Sequence, residues 1–299
     1  MTTGPSRLYI VGNGFDLHHG IKSRYVEFGH YLELADPQTY DQVERYLAFD
    51  ADFWAMFEAR LADLDVDSLI DYASNLLQSY GADDWRDSGH HDYQYEILEA
   101  VRALSSTLRE QFANWIRHLA IPDASSAPVP LLRLDRSALY LNFNYTETLQ
   151  KTYGIPNARI LHIHGQAASP TSDLVLGHGW KPQPEDSLNH GLNFEEADSR
   201  IVEGNQIIDR YFAQTFKPTD DVIARNRAFF SALGSVKEIV VLGHSFSEVD
   251  GPYIDEIIAN VAFDAVDWRV ACRSTSAELA ARVAAFNITR VTYLPWSAF

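Results

Sequence analysis

The stretch RLYIVGNGFD, residues 7–16, sets a short apolar run directly against two glycines one residue apart. Residues 7–11 read as a buried β-strand, and Gly12 and Gly14 as a turn at its carboxyl end. Glycine turns at that place let backbone N–H groups approach a phosphate or a ribose closely. Asn13 and Asp16 sit in the same turn, and Asp16 can bond a ribose hydroxyl or a neighbouring amide. The third glycine of the dinucleotide fingerprint is missing at its usual spacing, so the motif match is partial.

Outward from this turn the pattern changes twice. From about residue 23 to 120, apolar residues recur at spacings of three and four, as in Ile97, Val101, Leu104, Leu108, Phe112 and Trp115. Such stripes bury one face of each helix, and their aromatics are core packing. The segment IPDASSAPVP, 121–130, reads as a linker. Short apolar runs then return at 138–141, 159–163, 174–176, 238–242, 268–271 and 291–294. Helical patterns at 146–153, 219–233, 251–262 and 276–286 separate several of them. Strands alternating with helices imply a mainly parallel sheet covered on both faces. The fold class expected is therefore α/β: a Rossmann-like, doubly wound sheet with a large helical insertion after the first strand. The core is assigned to 1–22 and 131–299 and the insertion to 23–130. The polar segment 178–205, with several His and Asn residues, reads as a loop-like flap.

Composition narrows the function classes. The 299-residue chain carries a formal net charge of −17 with no basic cluster, which disfavours a nucleic-acid groove. A single cysteine excludes a disulfide framework and any cysteine-rich zinc site. No stretch approaches the roughly 20 apolar residues needed to cross a bilayer. The opening MTTGPSRLYIVG has too short an apolar run for a secretory signal, and a cytoplasmic protein is expected.

Four polar motifs fall where strands end, the place at which open parallel sheets bind ligands. The glycine turn is the first. In NFNYTETL, residues 142–149, strand alternation puts Asn142 and Asn144 on one side. An amide that donates and accepts at once suits holding a water or a sugar hydroxyl. Thr146, with Glu147 behind it, fits a helix N-cap. In HIHG, 162–165, His162 and His164 stand two apart on a strand, and His164 at its end is the candidate general base. In GHSFSEVDGPY, 243–253, Gly243 again permits close backbone approach and Ser245 offers a hydroxyl. Asp250 there is either a helix N-cap or a ribose ligand. GHSFS lacks the second glycine of a nucleophile elbow, so a serine hydrolase fits poorly.

Taken together, IVGNGFDLHHGIKSRYVEF (10–28), LNFNYTETLQ (141–150), HIHG, LVLGHG (174–179) and GHSFSEVDGPY resemble the bacterial abortive-infection AbiH family. That family is in turn distantly similar to sirtuin-type NAD-binding and NAD-hydrolysing domains. The resemblance implies that Gly12, Asn13, Gly14 and Asp16 border an NAD substrate. It makes Asn144 and His164 catalytic, and sets Gly243, Ser245 and Asp250 near the adenosine half. Thr146 stands where the relatives often carry Asp. One cysteine cannot build a deacetylase zinc module, so protein deacylation is rejected. The expected chemistry is metal-free hydrolysis of the nicotinamide–ribose bond, with NAD depletion arresting the infected cell. The expected partner is a small-molecule nucleotide, with neither nucleic acid nor membrane. The helical insertion or a homo-oligomer interface is the candidate restraint. Two alternatives stay open: a nucleotide-sensing module without catalysis, and a metal-dependent phosphoesterase or nuclease using Asp16, His162, His164, His178 and His244.

Overall fold

The computed structural model describes residues 5–48, 50, 52–77, 91–273 and 277–299. In chain order, β1 (Arg7–Val11) leads into α1 (Asn13–His18), α2 (Tyr25–Ala35), α3 (Pro37–Tyr46), α4 (Phe57–Arg60), α5 (Val66–Ser74), α6 (Asp92–Arg102) and α7 (Leu108–His118). There follow β2 (Leu139–Asn142), α8 (Thr148–Tyr153), β3 (Ile160–His162), α9 (Ser199–Thr215), α10 (Thr219–Arg225) and α11 (Arg227–Ser231). The chain closes with β4 (Glu238–Leu242), α12 (Gly251–Asn260), β5 (Asp267–Cys272), α13 (Ala277–Ala285) and β6 (Val291–Pro295). Ser276, the first residue of the helix expected at 276–286, lies outside the described residues.

Contacts divide the chain into two compact units. The first takes Met1–Arg24, Ala113–Val175 and Pro218–Phe299, and holds the sheet; the second takes Tyr25–Phe112 and Leu176–Lys217. Against the division expected from sequence, the contacts set residues 23–24 and 113–130 with the sheet and 176–217 with the helices.

In the first unit all six strands are parallel, in the order β3-β2-β1-β4-β5-β6. The α/β, Rossmann-like class read from the sequence is what the chain adopts. Strand alternation feeds two apolar layers. Leu8, Ile10, Leu141, Ile239, Val241, Trp268 and Val270 face Phe230, Ile254, Ile257 and Val283 from α11, α12 and α13. Tyr9, Val11, Tyr140, Val240 and Leu242 face Phe15 of α1 and Leu149 of α8. Each fully buried Ile or Leu of this kind stabilises by about 1.5–3 kcal/mol. Tyr9 and Tyr140 are paired across β1 and β2 and their rings stack at 4.7 Å.

The register aligns Val11 with Asn142 on one side and with Leu242 on the other, and Asn142 with His162. The residues leaving this row are therefore those of the glycine turn, the NFNYT segment, HIHG and GHSFS. The run Leu174–Leu176, expected as a strand, forms none. Gly165 turns the chain at φ +84°, and Val175 N–H donates to His164 O at 2.9 Å as an isolated link.

The second unit is helical. Phe28 meets Trp54, Phe57 and Phe112 edge-on at 5.8, 5.6 and 5.2 Å. The fully buried Lys217 ammonium lies 2.5 Å from Glu58, which also accepts from the Tyr25 hydroxyl. α9 falls partly in the segment expected to be a flap. It packs along α6, with Gly204 against Tyr93 and Ile97 and with Gln94 bonded to Glu203 at 3.0 Å. Among the described residues no helix is long and apolar enough to cross a membrane.

Candidate functional site

In a doubly wound sheet the crevice lies where the strand order reverses, which here is between β1 and β4. Two loops leave the sheet at that point, and they are packed against each other. Gly12 N–H donates to Leu242 O at 3.0 Å and Gly14 N–H to Gly243 O at 2.9 Å. A Cβ on Gly12 would lie 2.6 Å from His244 Cα, and one on Gly14 would lie 2.7 Å from Gly243 Cα. Gly243 has φ +71°, and a Cβ there would meet the Gly14 carbonyl carbon at 2.4 Å. The glycines are thus required by backbone-to-backbone contact between the two loops. The space they leave is filled by the chain itself, so a dinucleotide pyrophosphate reaches these amides only if the loops part.

Asp16 is the anchor of the next layer. Thr146 Oγ1 donates to its Oδ2 at 2.6 Å and Thr148 Oγ1 to its Oδ1 at 2.7 Å. Burial pushes this carboxyl up to about 6, against hydrogen bonds from Thr146, Thr148 and Asn144 that pull it down. The N-cap expected at Thr146 is Glu147 instead, without a side-chain cap bond, because the Thr146 hydroxyl is spent on Asp16. Thr148, the second partner of Asp16, carries no signal in the sequence beyond its polar side chain at the start of α8.

The two asparagines part company because β2 ends at Asn142. Asn142 turns to His162, with Nδ2 3.3 Å from Nδ1, and its Oδ1 accepts from Asn144 N–H at 3.1 Å. Asn144 Nδ2 donates to Gly12 O at 3.1 Å, tying the β2 loop to the glycine turn. Asn13 is engaged with Ser23, donating to its carbonyl at 2.8 Å and accepting from its hydroxyl at 2.5 Å.

The histidines also separate, since β3 ends at His162 and the pleat does not continue to His164. His162 lies 3.0 Å from Asn144 O through Nδ1 and 2.8 Å from the Gln150 amide through Nε2. Burial lowers its pKa, and its partners make it a structural imidazole. His164 is 2% exposed and sits among Phe143, Tyr145 and Tyr253. Its Nε2 lies 3.4 Å from Asp250 Oδ1, and His244 Nε2 lies 3.6 Å from Asp250 Oδ2. Phe143 packs on both rings, at 5.3 Å from His164 and 4.2 Å from His244. The pairing of Asp250 with two histidines was not read from sequence, where only the Asp at a helix start was visible. Ser245 is exposed, and its carbonyl accepts from Arg282 at 3.2 Å.

His178 belongs to the helical unit, packed near Trp180 and Phe212. Among the described residues no group of three or more His, Cys, Asp or Glu is placed to hold a metal ion. Two surface cavities, one at Glu238, Asp267 and Arg290 and one at Asp220, Arg227 and Glu256, are lined by none of the residues above.

Fold and site together define a Rossmann-like α/β protein with a buried carboxylate, Asp16, and two buried histidines that flank the partly exposed Asp250 at the carboxyl edge of its sheet. A family model described as Bacteriophage abortive infection AbiH matches residues 8–272. The chain belongs to that family, which implies a role in phage abortive infection. Comparison with curated proteins and with solved structures returned no match.

Two outcomes are expected. Gly243→Ala should destabilise the chain by about 2–4 kcal/mol, through overpacking and the left-handed backbone. Gly234→Ala, with open space around its Cβ, should be near neutral in the same thermal unfolding series. Asp16 binds its proton more tightly folded than unfolded, so its contribution is full below about pH 4 and declines as pH rises to about 6. The stability of wild type relative to Asp16→Asn, from denaturant unfolding at several pH values, should fall by about 3 kcal/mol across that window. A pH-independent difference would contradict the assignment.

Proposed function

We propose that this AbiH-family chain acts in abortive infection by hydrolysing NAD at the nicotinamide–ribose bond. The observation that carries the reading is His164. It is a buried imidazole just beyond the carboxyl end of β3, lying against the carboxylate of Asp250 in the segment that leaves β4. In the proposed reaction the C1′–N1 bond breaks and its electron pair leaves with nicotinamide, neutralising the pyridinium. Water attacks C1′, and its proton passes to His164, a contribution of roughly 10²–10⁴-fold. The aromatic wall of Phe143, Tyr145 and Tyr253 excludes bulk water. Asn144 exchanges Gly12 O for a ribose hydroxyl or the attacking water once the loops separate. Gly12, Asn13, Gly14 and Asp16 then border the dinucleotide, and Gly243 and Ser245 lie towards its adenosine half. No metal is required, and loop closure over the amides keeps the resting protein harmless to its host.

A second reading, nucleotide sensing without chemistry, asks the same of the glycine turn. The Gly12 and Gly14 amides are already bonded to Leu242 and Gly243. Chromatographic measurement of nicotinamide released from NAD, on monomeric and oligomeric fractions, separates the two. Release by wild type, reduced at least 100-fold in His164→Ala and in Asn144→Ala, is the expected result. Tight nucleotide binding with no release would select the sensing function.

A further inference from the structure

We infer that the outward face of α5 and α6 is a docking surface for a basic, amphipathic segment of a partner protein. Nothing in this depends on the hydrolysis of NAD.

The chain's 41 acidic and 24 basic residues divide unevenly between its two units. The first unit holds 15 of each and is formally neutral. The helical unit holds the remaining 26 acidic and 9 basic residues, and with them the entire net charge of −17. Cations of that unit already lie against acids, as Arg60 does at 2.6 Å from Asp63 and Arg200 at 2.6 Å from Asp198. So few cations leave most of its carboxylates unbalanced. Exposed large apolar side chains are segregated in the same way. Among the described residues, all of them except Leu131 belong to the helical unit. Single exposed apolar groups are ordinary on a protein surface, but gathered on one unit and set among carboxylates they mark an interface.

The face is built by two helices. α6 buries Tyr93, Gln94, Ile97, Ala100 and Val101 along one side. Tyr95 and Leu98, three residues apart, are neighbours on the opposite side, beside Asp92, Glu99 and Arg102. Tyr95 is 61% exposed. α5 buries Leu69 and Ala73 and exposes Tyr72. The two helices pack together, and the Tyr46 hydroxyl marks where they meet. Burial raises its pKa, and Glu96 of α6 and Tyr72 of α5 add to the rise against the pull of Arg45. Tyr72, Tyr95 and Leu98 are thus interleaved with the carboxylates of Glu96 and Glu99.

Charge selects what can cover this face. Two copies of it repel each other, and an anionic lipid surface or a phosphate backbone is repelled as well. A cationic segment is attracted, with its lysines and arginines on the carboxylates and its apolar side on Tyr95 and Leu98. Aromatic anchors carry much of the energy in such contacts, while the charges set specificity and encounter rate.

The test uses the full chain and a fluorescein-labelled synthetic peptide of leucine and lysine, patterned as an amphipathic helix. Its controls carry serine in place of leucine, or glutamate in place of lysine. Fluorescence anisotropy is expected to show saturable binding of the leucine–lysine peptide, weakened by added salt, and binding at least roughly 10-fold weaker for either control. Tyr95→Ser combined with Leu98→Ser should weaken it roughly 10-fold, and Leu131→Ser, in the neutral unit, should leave it unchanged. Equal binding of the serine–lysine peptide would reduce the face to bare charge and overturn the inference, as would undiminished binding by the double variant. Hydrogen exchange on the wild-type chain needs no variant to fold. Protection by the peptide is expected in α5 and α6, and protection confined to the sheet unit would overturn the docking surface. Sedimentation showing a dimer that the double variant loses, or flotation with phosphatidylserine vesicles that it loses, would also overturn it, by giving the face to a second copy or to a lipid surface.

Discussion

Everything at the carboxyl edge of the sheet depends on the contact between the loop after β1 and the loop after β4. Two hydrogen bonds and three glycines bring the backbones at residues 12–14 and 242–244 together more closely than any side chain would allow. This contact sets where Asp16 enters the interior, where Gly12 O meets the Asn144 amide, and where His244 can reach Asp250. It also occupies the crevice in which a doubly wound sheet ordinarily receives its ligand. One constraint thereby couples closure of the site to assembly of its polar groups.

The polar groups buried there are costly, and their partners show how the cost is offset. Asp16 loses solvation and recovers part of it from two threonine hydroxyls. Asp250 is compensated by Ser247 and lies against two imidazoles. Replacing such clusters by apolar side chains is frequently stabilising in proteins, so their presence at a sheet edge is better explained by use than by stability. Other histidines serve the fold. His19 donates through Nδ1 to Phe15 O at 2.7 Å and accepts from the Tyr153 hydroxyl at 2.6 Å, and His18 stacks on Trp296 at 4.3 Å.

Much of the architecture was legible because continuous apolar runs mark strands buried on both faces. The apolar run at 238–242 coincides with β4, and the runs at 268–271 and 291–294 differ from β5 and β6 only at their ends. The short run at 174–176 misled, since apolar content without a partner strand makes no ladder. α9 was partly hidden because its buried side includes Arg200, Gly204, Asn205 and Thr215, which blur the apolar stripe. Asn144 and His164 stood out by residue type at strand ends, but their partners did not. Gly12 and Asp250 are distant in sequence from Asn144 and His164, and only the pairing of β1, β2, β3 and β4 brings them near. The glycines were read as room for a phosphate, whereas a spacing rule cannot distinguish that room from space taken by a second loop.

Under the proposed hydrolysis this edge opens to receive NAD, with its ribose beside His164. The most direct measurement is a crystal structure of the His164→Ala chain grown with NAD. The expected result is the pyrophosphate against the Gly12–Gly14 amides, the Gly243 loop displaced, and the nicotinamide riboside beside position 164. NAD bound elsewhere on the chain, with the two loops still joined, would contradict it.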